Sequence, residues 1–344
     1  MPNPVLTEAI DRLCSGGDLS TVEAAGVLRE VMEGQAPETQ TAAFLVALRA
    51  KGETVEEIAG LARTMRALAT PVEVTGADLL DTAGTGGGRP TFNVSTTAAL
   101  VAAGAGRTVA KHGNRSATGL SGSADLLEAL GARIDLEPAA VAECIEAVGF
   151  GFMFAPLHHR AMRHVVGVRR ELGVRTIFNF LGPLTNPAGA TRQLIGVADP
   201  TYLDTIAAAL GALGARRALV VSSEDGLDEL SVSAPTRVVE LRDGELRGYA
   251  VTPEELGVDP APPNALGAGT PERNAEIARA VLEGQPGPER SVTVLNAGAA
   301  IYVGGGAPSI EGGVRIAEDA IDSGAAREVA ERFVVLTGEL APGR

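Results

Sequence analysis

The chain has 344 residues, 45% of them apolar, and carries 29 basic against 43 acidic side chains, a formal charge of −14. The length allows a large core and favours two units, and the apolar share excludes a disordered chain. The charge opposes nucleic acid and anionic membrane over most of the surface, and no uncharged run offers the ~20 apolar residues of a membrane span. Cys14 and Cys144 lie far apart without metal-type spacing and read as reduced thiols of a cytoplasmic protein. The N-terminus has early acids and no apolar core of a signal peptide.

Residues 1–70 read as helices only. Pro4 to Cys14 places Val5, Leu6, Ile10 and Leu13 on one face. "STVE" at 20–23 and "TVEE" at 54–57 have the capping-box pattern ahead of two further helices. Another is expected from about Thr39 to Lys51. These helices carry no chemistry and are expected to pack, including against a second subunit. From Val72 the pattern changes. Strands are predicted at 79–82, 108–111, 150–154, 193–198 and 218–223, with helices at 95–104, 122–131, 138–147, 160–171 and 201–213. Such alternation predicts a mainly parallel sheet flanked by helices. "TRVVELRDGELRGYAV" (236–251) predicts a β-hairpin turning at "RDGE". The tail from Pro271 reads as helical.

The chemistry begins at "DTAGTGGGRPTFNVST", Asp81 to Thr96. A glycine loop between a strand and a helix is where α/β proteins hold phosphate, because helix N-termini present free N–H groups. Arg89 breaks the spacing of a Walker loop and of a dinucleotide fingerprint. Asn93, Ser95 and Thr96 remain at the head of the next helix, where Ser95 or Thr96 can cap it or bind phosphate and metal-bound water. "KHGNRSATGLSGSAD" (111–125) sets Lys111, His112, Asn114 and Arg115 before Thr118, Ser121 and Ser123, a set suited to an anionic substrate. Asp228 and Glu229 in "EDGLDEL" supply oxygen ligands suited to Mg²⁺ beside phosphates. "VRRELGVRTIFNFLGPLTNPAGA" (168–190) carries Arg169, Arg170 and Arg175 before an irregular apolar stretch, and an arginine there can fork onto a carboxylate.

Together, the loop with "FNVST", "KHGNRS", "RELGVRTIFNFLGPLTNPAG" and "DGLDEL" resemble the anthranilate phosphoribosyltransferase family over nearly the whole chain. The resemblance implies a helical domain over 1–70, joined by a hinge or helical insertion near 165–190, and an α/β catalytic domain over 71–344. It implies a Mg²⁺-dependent cytoplasmic homodimer, associating through the helical domain. The reaction implied joins anthranilate to 5-phosphoribosyl 1-pyrophosphate on the way to tryptophan. By motif, Gly84, Thr85, Gly86, Gly87, Asn93, Ser95, Thr96, Lys111, Thr118, Ser121 and Ser123 would hold the phosphoribosyl donor. Ser95, Asp228 and Glu229 would ligate the metal. Gly84, His112, Asn114, His158, Arg169 and Arg170 would face anthranilate, with His159 nearby, and Lys111, Asn114 and Arg169 would carry catalysis. Two rivals share the fold. A pyrimidine-nucleoside phosphorylase is opposed by "GPLTNP", and a non-catalytic nucleic-acid-binding relative by the charge of −14.

Two positions depart from the family pattern. Gly88 stands where an acidic residue is usual, in a loop about one residue shorter. Losing that carboxylate is expected to make the response to excess Mg²⁺ shallower than in a Gly88→Asp variant, without abolishing binding. Arg160 stands where a proline often follows the paired histidines.

Overall fold

The computed structural model describes residues 1–76, 78–116 and 119–341. Four helices open the chain: α1 (Pro4–Cys14), α2 (Thr21–Met32), α3 (Glu38–Lys51) and α4 (Val55–Ala67). Asn3 Oδ1 accepts from the N–H groups of Val5 and Leu6 ahead of α1. Ser20 with Glu23, and Thr54 with Glu57, close complete capping boxes ahead of α2 and α4, satisfying N–H groups that the helix itself leaves free. The apolar faces bury Leu6, Leu28, Phe44, Leu48, Ile58 and Leu61 in one core.

The rest of the chain is built on a seven-stranded sheet: β1 (Leu80–Gly84), β2 (Val109–Gly113), β3 (Phe150–Phe154), β4 (Arg192–Gly196), β5 (Arg217–Ser223), β6 (Thr236–Arg242) and β7 (Glu245–Val251). The spatial order is β3-β2-β1-β4-β5-β6-β7. The first five strands pair in parallel. The last two form the antiparallel hairpin, turning through Asp243 (φ 52°) and Gly244 (φ 85°), two positive angles that match the twist of the strands.

Helices cover both faces: α5 (Val94–Gly104), α6 (Ser123–Leu130), α7 (Pro138–Val148), α8 (Ala155–His158), α9 (Arg163–Leu172), α10 (Phe178–Leu184), α11 (Leu203–Ala212), α12 (Pro271–Leu282), α13 (Pro288–Val303), α14 (Ile310–Asp322) and α15 (Ala325–Leu340). One core joins a sheet face to α5, α7 and α13 to α15. The other joins the opposite face to α11, the four N-terminal helices, α9 and α10. Two segments differ from their sequence reading. The helix expected over 160–171 is a 3₁₀ turn, Arg160–Met162, followed by α9. The stretch expected to be irregular contains α10, with Pro183 inside it. Burial of Phe178, Phe180, Leu181 and Leu184 outweighs the ladder bond that Pro183 cannot make.

The chain order reverses between β1 and β4. In such sheets a crevice opens beyond the strands' carboxyl ends at that point. Gly84, Gly113 and Gly196 end β1, β2 and β4 there.

The helical core gives a paired prediction. A methyl on Gly60 would meet the Thr21 carbonyl and lie 3.1 Å from Ala24 Cβ, whereas one on Gly26 meets nothing within 4 Å. Gly60→Ala should lose about 1–3 kcal/mol to overpacking, and Gly26→Ala should gain about 0.4–1 kcal/mol. Urea unfolding of the two variants checks this, and changes of the same sign would contradict the packing described.

Candidate active site

The glycine loop leaves β1 at Gly84 and is held at both ends. Thr85 donates its N–H to the Gly196 carbonyl at 2.8 Å, and its hydroxyl accepts from Ala198 N–H at 3.3 Å. Gly86 (φ 62°) and Gly87 (φ 85°) adopt left-handed angles open to glycine at little cost. Arg89 closes the far end. Its N–H donates to the Gly226 carbonyl at 2.7 Å, and its guanidinium pairs with Asp225 at 3.0 Å and reaches the Pro263 carbonyl. The residue that broke the nucleotide patterns thus fastens the glycine loop to the acidic loop.

Asp228 and Glu229 lie at the end of the crevice. They line a cavity of about 50 Å³ with Thr82, Gly84, Ser95, Gly196 and Asn296. Burial raises the pKa of both carboxyls, and the charge of Asp228 pushes Glu229 further up, well above the carboxylate range. Glu229 Oε2 has no hydrogen-bond partner. Lys111, on β2, is 1% exposed and donates to the carbonyl and hydroxyl oxygens of Thr82. Burial lowers its pKa to about 8, against the pull of Asp81 and Glu229. Two adjacent buried carboxyls, one with an oxygen lacking any partner, facing space for a small ion, have the chemistry of a cation site. No cluster of three or more histidine, cysteine or acidic side chains able to hold a metal occurs among the described residues. A cation here would therefore need oxygens from a ligand as well.

Sequence reasoning gave no role to Asp81 and Asn186. Asp81 is fully buried, and burial raises its pKa to about 6. It accepts from His112 N–H at 3.1 Å and from Asn186 Nδ2 at 2.8 Å, and that Nδ2 also donates to the Ala110 carbonyl at 2.8 Å. This bond bolts the "GPLTNP" segment to β1 and β2 beside Lys111. The signal was present in both motifs, but nothing local shows that they meet.

On the α5 side, Asn93 is the cap position, and neither Ser95 nor Thr96 caps the helix as expected. The Asn93 amide is held by the Ser121 hydroxyl at 2.9 Å, the Ser121 carbonyl at 3.1 Å and Asn274 Nδ2 at 2.8 Å. Asn274, far off on α12, had no sequence signal. Ser95 lines the cavity, but Thr96 is fully buried, with a hydroxyl lacking any partner. Ser123 opens α6. Thr118 lies outside the described residues. Arg115 is spent on Asp125 and Glu128, and Asn114 is exposed, its Oδ1 accepting from Arg115 N–H at 2.7 Å.

Histidines lie beside β2 and α8, and an arginine stands on α9. Burial drives the pKa of His112 well below its usual value and that of His159 to about 4, so both rings are neutral at pH 7. The His112 Nδ1 proton goes to the Gly182 carbonyl at 3.1 Å, which leaves Nε2 as a buried acceptor without a partner. His158 likewise donates to the Thr70 carbonyl at 3.0 Å. The His112 and His159 rings lie 5.0 Å apart. Arg169 is half-buried with its guanidinium 5.5 Å above the Phe178 ring, and among the described residues it has no acidic partner. Arg170 is exposed, since the next helical position lies about 100° round the axis. It does not share the contact of Arg169 with Phe178.

Comparison with known proteins identifies the family and the fold. Residues 7–69 match the helical bundle domain of a glycosyl transferase family, and residues 76–327 match its a/b domain. Over 98% of the chain, the sequence is 53% identical to an anthranilate phosphoribosyltransferase of Rubrobacter xylanophilus, covering 99% of that protein. The chain belongs to the anthranilate phosphoribosyltransferase family. The structure of the family member from Thermus thermophilus is 49% identical and superposes with a TM-score of 0.91, covering 96% of this chain and 99% of that one. The Saccharomyces cerevisiae enzyme, 28% identical, superposes with TM-scores of 0.89 in complex with PRPP (5-phosphoribosyl 1-pyrophosphate) and Mg and 0.88 in complex with 4-fluoroanthranilate, each covering 97% of this chain and 98% of that one.

Against the family pattern, Gly88 takes on a steric meaning. A Cβ there would lie 2.5 Å from Asp228 Oδ1, 2.8 Å from its N and 3.0 Å from the Gly226 carbonyl. Asp228 occupies the space that a side chain at this position would need. A steric effect therefore stands beside the expectation built on charge alone. Gly88→Ala, which adds no charge, should weaken Mg²⁺-supported activity about as much as Gly88→Asp. Mg²⁺ titrations of both variants check this, and a silent Gly88→Ala would restore the charge explanation.

Proposed function

We propose that this crevice transfers the 5-phosphoribosyl group of PRPP to the amine of anthranilate, releasing pyrophosphate, as a step of tryptophan biosynthesis. The observation that supports the reading is a small cavity lined by Gly84 of the glycine loop, Ser95 and the buried acidic pair, in which Glu229 keeps an oxygen without a partner. The donor lies along Gly84 to Gly87, with Asn93, Ser95, Ser121 and Ser123 on its α5 and α6 side and Thr118 near its phosphoribosyl group. Asp228 and Glu229, with Ser95 beside them, hold Mg²⁺, which supplies charge neutralisation for the departing pyrophosphate when bound. Their raised pKa values and the orphaned Glu229 oxygen fit that role.

Lys111 places positive charge beside the leaving group and, being nearly dry, acts there with little screening. Loop N–H groups add to it. Arg169 forks onto the anthranilate carboxylate. His112 Nε2 offers a lone pair that suits the amine N–H, and Asn114 and His158 flank the acceptor. The aniline nitrogen is unprotonated at neutral pH, so attack needs no prior deprotonation. Residues 1–70 with 165–190 form the unit that closes over the acceptor. Val5, Val22 and Val46, exposed on α1 to α3, support association of two chains through that unit. The two free cysteines support a cytoplasmic setting.

The decisive assay follows loss of anthranilate fluorescence with PRPP and Mg²⁺. Turnover that survives the Asp228→Ala and Glu229→Ala double change would refute the metal assignment. Arg169→Ala should raise the KM for anthranilate by about tenfold or more, the loss of a charge-assisted bond, and leave the KM for PRPP near its wild-type value. A pH profile tests Lys111. Its cation is lost as pH rises through about 8, so kcat/KM for PRPP, which reports the free enzyme, should fall above that pH. A flat profile from pH 7.5 to 9.5 would contradict the role.

A further inference from the structure

Arg175 has no place in the set above, yet it touches the loop that does most of the binding. It follows α9 on the segment that carries Arg169. Its Nη1 donates to the Gly86 carbonyl at 2.7 Å and its Nη2 to the Thr85 carbonyl at 3.4 Å. A Cβ on Gly87 would run into the same guanidinium, so the loop is shaped around it. Its charge also lowers the pKa of Asp228. The backbone of Arg175 is itself held from the helical unit, because Arg49 on α3 donates to its carbonyl at 2.8 Å.

The chemistry of this contact is specific. A guanidinium drawing two successive carbonyls to one side fixes the peptide planes at Gly86 and Gly87. A phosphate cradle needs its N–H groups turned to the anion and its carbonyls turned away. Between the anchored ends, Gly86 and Gly87 adopt left-handed angles, and glycine gives up more freedom on ordering than any other residue, so a restraint at the carbonyls of Thr85 and Gly86 matters most.

We propose that Arg175 is a positioning residue that holds the glycine loop in its phosphate-binding shape and, through Arg49, ties that shape to the helical unit on the acceptor side. The proposal rests on reading the loop as the PRPP cradle, which wild-type binding and turnover test separately. The experiment is calorimetric titration of the full chain with PRPP and Mg²⁺, beside steady-state kinetics, for Arg175→Ala, Arg175→Lys and Arg49→Ala. Arg175→Ala should weaken PRPP binding about tenfold or more, the scale of lost charge-assisted bonds, and raise its KM in parallel, while kcat changes far less. Arg175→Lys should not restore binding, because a point charge cannot span both carbonyls. Added ethylguanidinium should partly rescue Arg175→Ala, an effect that a general packing defect would not show. Arg49→Ala should weaken PRPP binding about threefold. Wild-type-like PRPP affinity in Arg175→Ala would overturn the proposal, as would a loss accompanied by a lower melting temperature and no rescue. A silent Arg49→Ala would overturn the tie to the helical unit. Failure of wild type to bind PRPP would instead overturn the functional reading.

Discussion

The structure depends on keeping two carboxyls and a lysine in a nearly dry pocket at the end of a parallel sheet. Asp228, Glu229 and Lys111 are costly where they sit, and burial shifts each toward its neutral form. Lys111 is eased by two oxygens of Thr82, but Glu229 keeps an oxygen with no partner. The surroundings are built to hold the strain rather than to relieve it. Gly84, Gly88 and Gly196 give up their side chains where the acidic loop presses against them. Arg89 ties that loop to the glycine loop through Asp225. On the function proposed, a cation entering with an anionic ligand would supply the partner that Glu229 lacks.

The same logic links the two units. The α9 helix, which carries Arg169, and the α10 segment share a core with the N-terminal helices, whereas His112 and the glycine loop belong to the sheet. Polar bonds link them, including Asn186 to Asp81, Arg175 to Thr85 and Gly86, His112 to Gly182, Gln193 to Pro183 and Arg66 to Leu213, beside the shared apolar core.

Much of this was legible in the sequence because it is local. The capping boxes at Ser20 and Thr54 formed as written, and alternation of apolar runs after Val72 gave the parallel sheet. The strand–glycine–helix order put the loop at the crevice. What escaped was set by contacts between distant segments. Asp81 looked like the end of a strand until Asn186, 105 residues on, was seen to bond it. Asn274 holds Asn93 across 181 positions. Gly88 seemed to remove a charge, but its neighbours show that it also makes room for Asp228. Arg170 and Arg169 were equal in sequence, and only the helix rotation separates the exposed one from the half-buried one.

The central claim is that the acidic pair is a stored cost relieved by metal-bound substrate. A carboxyl whose pKa is raised on folding holds its proton longer in the native state, so stability falls as pH rises from the unfolded value toward the native one. The wild type should therefore lose stability progressively as pH rises above the ordinary carboxylate range, until the native pKa values are passed. The most direct measurement is thermal melting of the Asp228→Asn, Glu229→Gln double variant beside wild type, with and without PRPP and Mg²⁺. The account predicts that the ligand-free variant melts at or above the wild-type temperature and that only wild type is raised by the ligands. A variant that melts lower and is stabilised by PRPP and Mg²⁺ as much as wild type would contradict it.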